Sequence, residues 1–543
     1  MRRKGMLLFF ALVLLWVLAA CGQQTGSKGE PGQGGTAAPT GGTLIFGRGA
    51  DSTALDPINV TDGESLIVTD NIFNTLVDYK PDSTEVVPSL AKEWKSSEDG
   101  LTWTFSLQEG VKFHDGTDFD AEAVVYNFNR WMDPNHPQHK GDFGYYAYMF
   151  GGFKGDPGHV IKEVVAKDKY TVEFHLNFPQ APFLNNLAMS PFGIASPAAI
   201  EKYGEKFGDH PVGTGPFKFV EWKKGDSITL EKNPDYWKKG LPKLDKVVFR
   251  SIPDNSNRFT ALKNGEIDLM DGLNPEDVPS VKSNDKLQLF LRPSMNVAYL
   301  AFNTKVKPLD DKRVRQALNM TVNKKEIIDS FFAGLAEPAK NPMPPSLWGY
   351  NDQVEDYPVD LEKAKSLLAE AGYPNGFETD LWYMTEPRPY MPNGQKVAEV
   401  LQADFAKIGV KVNLVTYDWS TYLDKTGNGE HPMALMGWTG DNGDPDNFLY
   451  VLLDKDNTRT PDAGNIAFYV NDALHDLLIR AQRSTNQEER IQLYMEAQKI
   501  IHEDAPWIPL VHTTPPIAGI KEIKGYIPHP TGTESFENVS IEK

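Results

Sequence analysis

A chain of 543 residues is too long for one hydrophobic core, so its length predicts at least two domains. Aspartate and glutamate number 74 against 55 lysines and arginines, and the net charge of −19 excludes nucleic acid and anionic lipid headgroups as natural partners. The sequence contains one cysteine, Cys21, so no intrachain disulfide bond can form.

The N-terminus has the pattern of a signal peptide. Three basic residues at positions 2–4 precede an uncharged apolar run, 6–20, which is too short to span a bilayer and ends in small residues. Residues 18–21, Leu-Ala-Ala-Cys, match the lipobox of bacterial lipoproteins. We therefore expect residues 1–20 to be removed and Cys21 to carry a lipid, followed by a flexible tether up to residue 41 that is rich in Gly, Gln, Thr, Ser and Pro.

The first half of the chain is predicted to be rich in strands. The expected elements are a strand at 43–48, a helix at 64–79, a strand at 102–107, a helix capped by Asp120, a hairpin within 164–176, a strand at 217–222, a strand at 247–252 and a helix at 257–264.

Residues 133–158 are predicted to form a long loop. His136 and His139 in this loop have a spacing that could bind a metal ion, but no second pair of ligands lies near, so an ordinary polar loop is preferred.

Longer helices are predicted in the second half. Asp310 is expected to cap one, Asn323 with Glu326 resembles a capping box, and further helices are expected at 361–371, 472–483 and 487–502. Strand-like pieces follow at 507–512 and 521–527. A chain that begins with strands, continues with longer helices and ends in short strands suggests that the C-terminal segment completes the first domain. The chain would then pass between the two domains twice, and these two connections would form a hinge.

Residues 378–417 have the pattern of a βαβ unit. Strand-like segments at 378–384 and 410–417 flank residues 395–408, whose apolar positions recur at helical spacing. Arg388 lies in the crossover after the first strand, so we expect it to face the crevice at the carboxyl ends of the strands, where a helix N-terminus also favours anions. Taken alone, Arg388 would be interpreted as an exposed loop charge.

An acidic, glycine-rich loop follows a predicted buried strand at 433–438. The stretch 437–447 reads Gly-Trp-Thr-Gly-Asp-Asn-Gly-Asp-Pro-Asp-Asn, and Asp441 is the first carboxylate past the strand. A self-capped surface turn is the usual explanation for such a loop. A calcium loop is less favoured, because Asp441, Asp444 and Asp446 lack the alternating ligands and closing glutamate of an EF-hand.

Arg388 and Asp441 together predict the chemistry of a ligand. Both are expected at the carboxyl ends of strands, on one rim of the same crevice. The Arg388 guanidinium binds anions and the Asp441 carboxylate binds cations. The pair therefore suits a small zwitterion, with its amino group at Asp441 and its carboxylate at Arg388.

Several motifs are spread over residues 42–543. They are Val-Pro-Ser-Leu-Ala at 87–91, Ser-Glu-Asp-Gly at 97–100, Lys-Phe-His-Asp-Gly at 112–116, Gly-Thr-Gly-Pro-Phe at 213–217, Trp-Gly-Tyr-Asn at 348–351 and the loop 437–447. Together they resemble the peptide- and nickel-binding lipoproteins of bacterial ABC importers, solute-binding protein family 5. The loop, with Arg-Pro-Tyr at 388–390, resembles the dipeptide-binding branch of that family.

The resemblance implies an α/β periplasmic-binding-protein-like fold. Two domains joined by a hinge would close on the ligand, and an extra subdomain would be inserted in the first. Domain I would comprise 42–293, completed by 514–543, and domain II would comprise 294–513.

The resemblance also implies a set of site residues. Asp441 would bind the peptide amino group and Arg388 the peptide carboxylate. The same site is expected to include Tyr390, Trp438, Thr439 and Gly440. Neither a catalytic residue nor a metal ligand is predicted.

The implied function is the capture of dipeptides outside the cytoplasm and their delivery to the permease subunits of an ABC transporter. We expect a monomer without a cofactor, attached to the outer face of the cell membrane through its lipid alone. Longer peptides, glutathione, haem or nickel are alternative ligands on the same scaffold. No enzyme is predicted, because the sequence lacks His-Glu-x-x-His, Gly-x-Ser-x-Gly and a dinucleotide fingerprint.

Overall fold

The computed structural model describes residues 41–461 and 463–542. The predicted signal peptide, Cys21 and the tether up to residue 40 lie outside the described residues. Among the described helices, none combines the length and the apolar character that a membrane crossing requires.

The first sheet has seven strands, most of them from the first half of the chain. The predicted strand at 43–48 is confirmed as Thr43–Arg48, and it pairs in parallel with Lys246–Ser251 and Leu269–Met270. Pro516–Ile520, from the C-terminal segment, lies between two strands of the first half. Across the sheet the order is Leu287–Leu291, Pro516–Ile520, Leu269–Met270, Thr43–Arg48, Lys246–Ser251, Ser227–Lys232 and Phe217–Lys223.

The second sheet has six strands and contains the predicted βαβ unit. Strands Glu378–Met384 and Lys411–Tyr417 are parallel, and helix Gly394–Ala406 connects them, so this prediction is confirmed. Across the sheet the order is Ala336–Pro338, Trp507–Thr513, Asn296–Phe302, Met433–Thr439, Glu378–Met384 and Lys411–Tyr417.

Both faces of the second sheet are covered. Every residue of Asn296–Phe302 is buried. Alternate residues of this strand belong to different clusters: Val297 and Tyr299 to one, Leu300 and Phe302 to the other. A strand buried on both faces reads as a continuous apolar run, which explains why these residues lack polar alternation.

A third, antiparallel sheet is inserted between strands of the first. Its strands are, in order, Ala91–Ser96, Thr102–Leu107, Thr171–Leu176 and Ile161–Asp168. Helix Ala121–Met132 packs against it, and its cap is confirmed because the Asp120 side chain accepts a hydrogen bond from the Ala123 N–H. Two short ribbons pair Val77–Tyr79 with Val86–Pro88 and Ile523–Lys524 with Ser540–Ile541.

The described α-helices connect and cover these sheets. In chain order they are Gly63–Thr69, Ala121–Met132, Gly144–Phe150, Phe183–Leu187, Pro197–Tyr203, Asn255–Asn264, Val278–Lys282, Lys312–Asn319, Lys324–Phe331, Leu361–Glu370, Gly394–Ala406, Trp419–Gly427, Asp446–Leu453, Asp472–Arg483 and Gln487–Asp504. The capping prediction for Asn323 is confirmed, since its side chain accepts from the Glu326 N–H. The cap before Lys312 is Asp311, not the predicted Asp310.

The helix predicted at 64–79 is shorter than expected. It ends at Thr69, where the Asn71 side chain donates to the Ile67 carbonyl at 3.0 Å and also binds the Glu534 carbonyl. The helix end therefore coincides with a bond to the distant C-terminal segment, which a local pattern could not predict.

The loop predicted at 133–158 contains a helix, Gly144–Phe150. Its N-terminal neighbour, Phe143, has a left-handed backbone and provides no side-chain cap, so the usual start signal is missing. Of the two histidines in this segment, His136 packs edge-on against Tyr126, and His139 Nδ1 lies 2.9 Å from the Arg130 carbonyl.

Candidate ligand-binding site

A cavity of about 490 Å³ lies between segments attached to the first and second sheets. Among the predicted site residues, those that line it are Arg388, Tyr390, Trp438, Thr439 and Asp441. Gly440 does not line the cavity. Its N–H instead donates to the Met295 carbonyl at 2.8 Å, which fixes the start of the acidic loop.

Arg388 and Asp441 each follow the carboxyl end of a strand. Glu378–Met384 and Met433–Thr439 run in parallel, with Leu381 paired to Met433. Their carboxyl ends therefore lie at the same edge of the sheet, where ligands bind in open α/β sheets. The structure thus places both side chains in one cavity.

Asp441 is a partly buried carboxylate whose partners, within residues 41–461 and 463–542, are uncharged. The Tyr145 hydroxyl donates to Oδ1 at 3.0 Å, and the Asn447 amide donates to Oδ2 at 2.9 Å. Among the described residues, no lysine, arginine or histidine neutralises it. Burial raises the pKa of Asp441 to about 7, although both hydrogen bonds lower it. An ammonium group of a ligand would supply the missing positive charge.

Asn447 holds this part of the loop together. Its Oδ1 accepts hydrogen bonds from the Asp441 N–H and from the Trp438 indole, both at 2.9 Å. Its Nδ2 donates to the Asp441 carboxylate. One side chain therefore orients the carboxylate and the neighbouring Trp438 together.

The other two acids of the loop are occupied by protein groups. Arg490 Nη2 lies 2.8 and 2.9 Å from the two oxygens of Asp444. Asp446 Oδ2 accepts from the Gln482 amide at 3.1 Å, and burial, then the nearby Asp444, raises the pKa of Asp446 to about 8. The calcium interpretation is therefore disfavoured, and the loop is a turn anchored by a buried ion pair.

Arg388 has an unusually incomplete set of partners for a buried arginine. Its side chain is 8% exposed, and its guanidinium carbon lies 4.1 Å from the ring centre of Trp419. Nη1 lies 3.6 Å from Glu64 Oε1, which is an ion pair but not a hydrogen bond. Nε has no hydrogen-bond partner among the described residues. Planar N–H donors are thus left for a carboxylate of a ligand.

Two glycines allow the site residues to pack closely. A Cβ at Gly437 would lie 2.2 Å from the Tyr390 ring, so a side chain there would displace Tyr390. A Cβ at Gly440 would lie 2.6 Å from the Phe448 ring. Gly437 and Gly440 are therefore explained by packing rather than by direct contact with a ligand.

Sequence reasoning missed many residues of the cavity wall, and two of them pair with the predicted charged residues. Tyr145, which donates to Asp441, lies on the unpredicted helix Gly144–Phe150. Glu64, which pairs with Arg388, lies on helix Gly63–Thr69 and was included in a predicted helix without a role. Both come from the first half of the chain, and no local pattern indicates that they meet the second sheet.

Most of the chain matches a family of bacterial transport proteins. The model described as "Bacterial extracellular solute-binding proteins, family 5 Middle" matches residues 85–460. The chain belongs to this family. Its members bind solutes for transport.

Relatives within family 5 have several ligands in their names. The chain is 42% identical over 482 residues to the "Dipeptide-binding protein" of Escherichia coli, covering 87% of this chain and 89% of the relative. It is 41% identical over 554 residues to "Heme-binding protein A" of Haemophilus influenzae, covering 100% of both chains. Membership of family 5 therefore does not by itself choose the ligand.

Solved structures of family 5 share the fold. The periplasmic binding protein DppA of Helicobacter pylori in complex with the peptide STSA has a TM-score of 0.85 and 40% identity, covering 93% of this chain and 99% of that chain. The dipeptide binding protein of Pseudoalteromonas sp. SM9913 in complex with Met-Leu has a TM-score of 0.87 and 30% identity, covering 92% and 100%. The predicted α/β, two-domain periplasmic-binding-protein-like fold is confirmed.

Proposed function

We propose that this family 5 protein captures dipeptides outside the cytoplasm and delivers them to the permease subunits of an ABC transporter. One observation carries the proposal: Asp441, a carboxylate with no basic partner in the part of the chain that the structure describes, lines the same cavity as Arg388, whose Nε has no hydrogen-bond partner there. In this proposal Asp441 binds the peptide amino group and Arg388 the peptide carboxylate.

The neighbouring residues complete the proposed site. Trp438 and Tyr390 give the cavity apolar walls, Thr439 lines it beside Trp438, and Gly440 joins this strand end to Asp441 without lining the cavity. The recognised groups are common to all dipeptides, so side-chain preference is expected to be weak. The spacing of two fixed charged residues would select for length, because a free amino acid would leave one of them unpaired.

Calorimetry with the parent protein tests this assignment. The ligands are one dipeptide, its N-acetylated form, its C-amidated form and the form blocked at both ends. Each single block is expected to weaken binding by at least about tenfold, since a charge-assisted hydrogen bond contributes about 1.5–3 kcal/mol. Equal affinity for the free and doubly blocked dipeptides would overturn the assignment and favour glutathione, haem, nickel or another ligand.

We further propose that binding closes two domains, 42–293 with 514–543 and 294–513. The division is supported by the two sheets, whose attached segments meet across the cavity at Glu64 and Arg388. A ligand that touches both sides binds the closed state better, and only such a difference can shift the equilibrium. Small-angle X-ray scattering of the same protein should show a smaller radius of gyration with dipeptide than without it.

We propose that the protein is a monomer attached through Cys21 to the outer face of the cell membrane. The Leu-Ala-Ala-Cys pattern that follows the apolar run supports the attachment through Cys21. Cys21→Ser is expected to abolish lipid attachment, with the protein lost from the membrane fraction or retained with its signal uncleaved. Metabolic labelling with a radioactive fatty acid measures this. Lipid label on the Cys21→Ser variant would contradict the proposal.

A further inference from the structure

Glu64 is a buried carboxylate in the wall of the cavity, on the side of the first sheet. Its side chain is 7% exposed, and it lies on helix Gly63–Thr69. Oε1 lies 3.6 Å from Nη1 of Arg388. Oε2 has no hydrogen-bond partner among the described residues. A buried oxygen without a partner is costly, so this atom is available to a ligand.

Other charged groups surround Glu64 without hydrogen bonding to its carboxylate. Arg48, from strand Thr43–Arg48, donates to Ser52 Oγ and to the backbone carbonyl of Glu64. Arg258, from helix Asn255–Asn264, donates to the Asp271 carbonyl at 3.0 Å. Asp271 follows strand Leu269–Met270 and adds negative charge. The remaining basic neighbour, Arg388, is the group that the ligand's carboxylate would also need.

The protonation of Glu64 follows from these neighbours. Burial, and then Asp271, raise the pKa of Glu64 to about 7, against the lowering effect of Arg388, Arg48 and Arg258. A ligand carboxylate placed at Arg388 would bring another negative charge to the same buried guanidinium. Two carboxylates at such a site cannot both stay ionised at low cost, so one of them holds a proton.

We propose, on the basis of the function proposed above, that Glu64 is a ligand-binding residue which shares Arg388 with the carboxylate of the dipeptide and donates a hydrogen bond to it as a neutral carboxylic acid. The proton comes from solvent when Glu64 is ionised before binding. It stays on Glu64 and bridges the two carboxyl groups, while the charge of Arg388 is balanced by the ionised ligand.

The proposal predicts a bell-shaped dependence of affinity on pH. The binding-competent form needs Asp441 ionised and Glu64 protonated. Affinity falls below pH 7, because Asp441, with its pKa of about 7, gains a proton. It falls above pH 7, because Glu64, with its pKa of about 7, loses one. Each limb approaches about tenfold per pH unit, as expected for one proton.

The variant Glu64→Gln tests the inference, because glutamine keeps a neutral donor at every pH. For a dipeptide such as Ala-Ala, the variant is expected to bind about twofold more tightly than the parent at pH 7 and about thirtyfold more tightly at pH 8.5. Above pH 7 its affinity should fall only as the ligand's own amino group, with an ordinary pKa of about 8, loses its proton, a loss that weakens parent and variant alike. Glu85→Gln is a matched control, because Glu85 is exposed, forms its ion pair with Lys80 and does not line the cavity. It should follow the parent curve.

Proton uptake provides a second measurement, in which the parent is compared with Glu64→Gln. Calorimetry at pH 8.5 in two buffers of different ionisation enthalpy should show that the parent takes up about one proton more per dipeptide bound than the variant, because uptake by the ligand's own amino group, with its ordinary pKa of about 8, is common to both. Equal uptake by parent and variant at pH 8.5 would overturn the inference. So would a Glu64→Gln variant that binds equally to, or more weakly than, the parent at pH 8.5, since Glu64 would then be remote or would act as an anion. In either case the parent would still prefer the free to the doubly blocked dipeptide, which separates this failure from failure of the proposed function.

Discussion

Asp441→Asn is expected to weaken dipeptide binding by at least about 100-fold at pH 7.5, equivalent to about 2.7 kcal/mol. The substitution keeps the shape of the side chain and an oxygen that can accept from Tyr145. It removes the negative charge opposite the ligand's ammonium group, which then stays unpaired in a closed cavity. Calorimetry with Ala-Ala at fixed pH and ionic strength measures the change.

Asp446→Asn is the matched control for this experiment. Asp446 lies in the same segment and does not line the cavity, and its pKa of about 8 leaves it mostly uncharged at pH 7.5. Its replacement should therefore change the affinity by less than about twofold. A sharper readout is the N-acetylated dipeptide, which should bind Asp441→Asn and the parent almost equally. If the affinity of Asp441→Asn for Ala-Ala is within threefold of the parent's, Asp441 does not bind the ligand.

Arg490→Leu is expected to lower the free energy of unfolding by about 3–5 kcal/mol. Arg490 and Asp444 form an ion pair in which each side chain is 6% exposed. Removal of the arginine leaves Asp444 as a buried charge beside Asp446, whereas leucine replaces only part of the packing against Trp348. Urea unfolding at pH 7, followed by circular dichroism, measures the loss.

Two further variants identify the cause of that loss. Lys325→Ala removes an exposed partner of Asp329 and should change the free energy of unfolding by less than about 1 kcal/mol. Adding Asp444→Asn to Arg490→Leu should recover part of the stability, because the unpaired charge is then gone. A loss below about 1 kcal/mol in Arg490→Leu would show that the ion pair does not stabilise the loop.

The sequence predicts best what depends on local patterns. Strand Thr43–Arg48 and helix Asp472–Arg483 have the predicted bounds, because periodicity and turn residues mark both ends. Helix Gly144–Phe150 was missed because no capping side chain precedes it. The end of helix Gly63–Thr69 was missed because its last turn is closed by Asn71, which also binds the distant C-terminal segment.

The candidate site also contains residues that the sequence predicts and residues that only tertiary packing brings in. Arg388 and Asp441 could be placed in one cavity because each follows a strand of one parallel pair, a relation that a βαβ pattern predicts. Glu64 and Tyr145 reach the cavity only through the packing of the first half of the chain against the second sheet. No periodicity encodes such a contact. The ligand roles of all these residues stay predictions until binding is measured.

The order of strands delays the completion of both sheets. Trp507–Thr513 belongs to the second sheet, and the next strand, Pro516–Ile520, lies inside the first sheet, between strands that were synthesised long before. During synthesis, neither sheet can close until these residues have left the ribosome, and pairing over such separations is intrinsically slow. The nascent chain therefore lacks both finished cores for most of its synthesis. Two consecutive strands near the end of the chain complete the two sheets, so the two sheets are finished almost together.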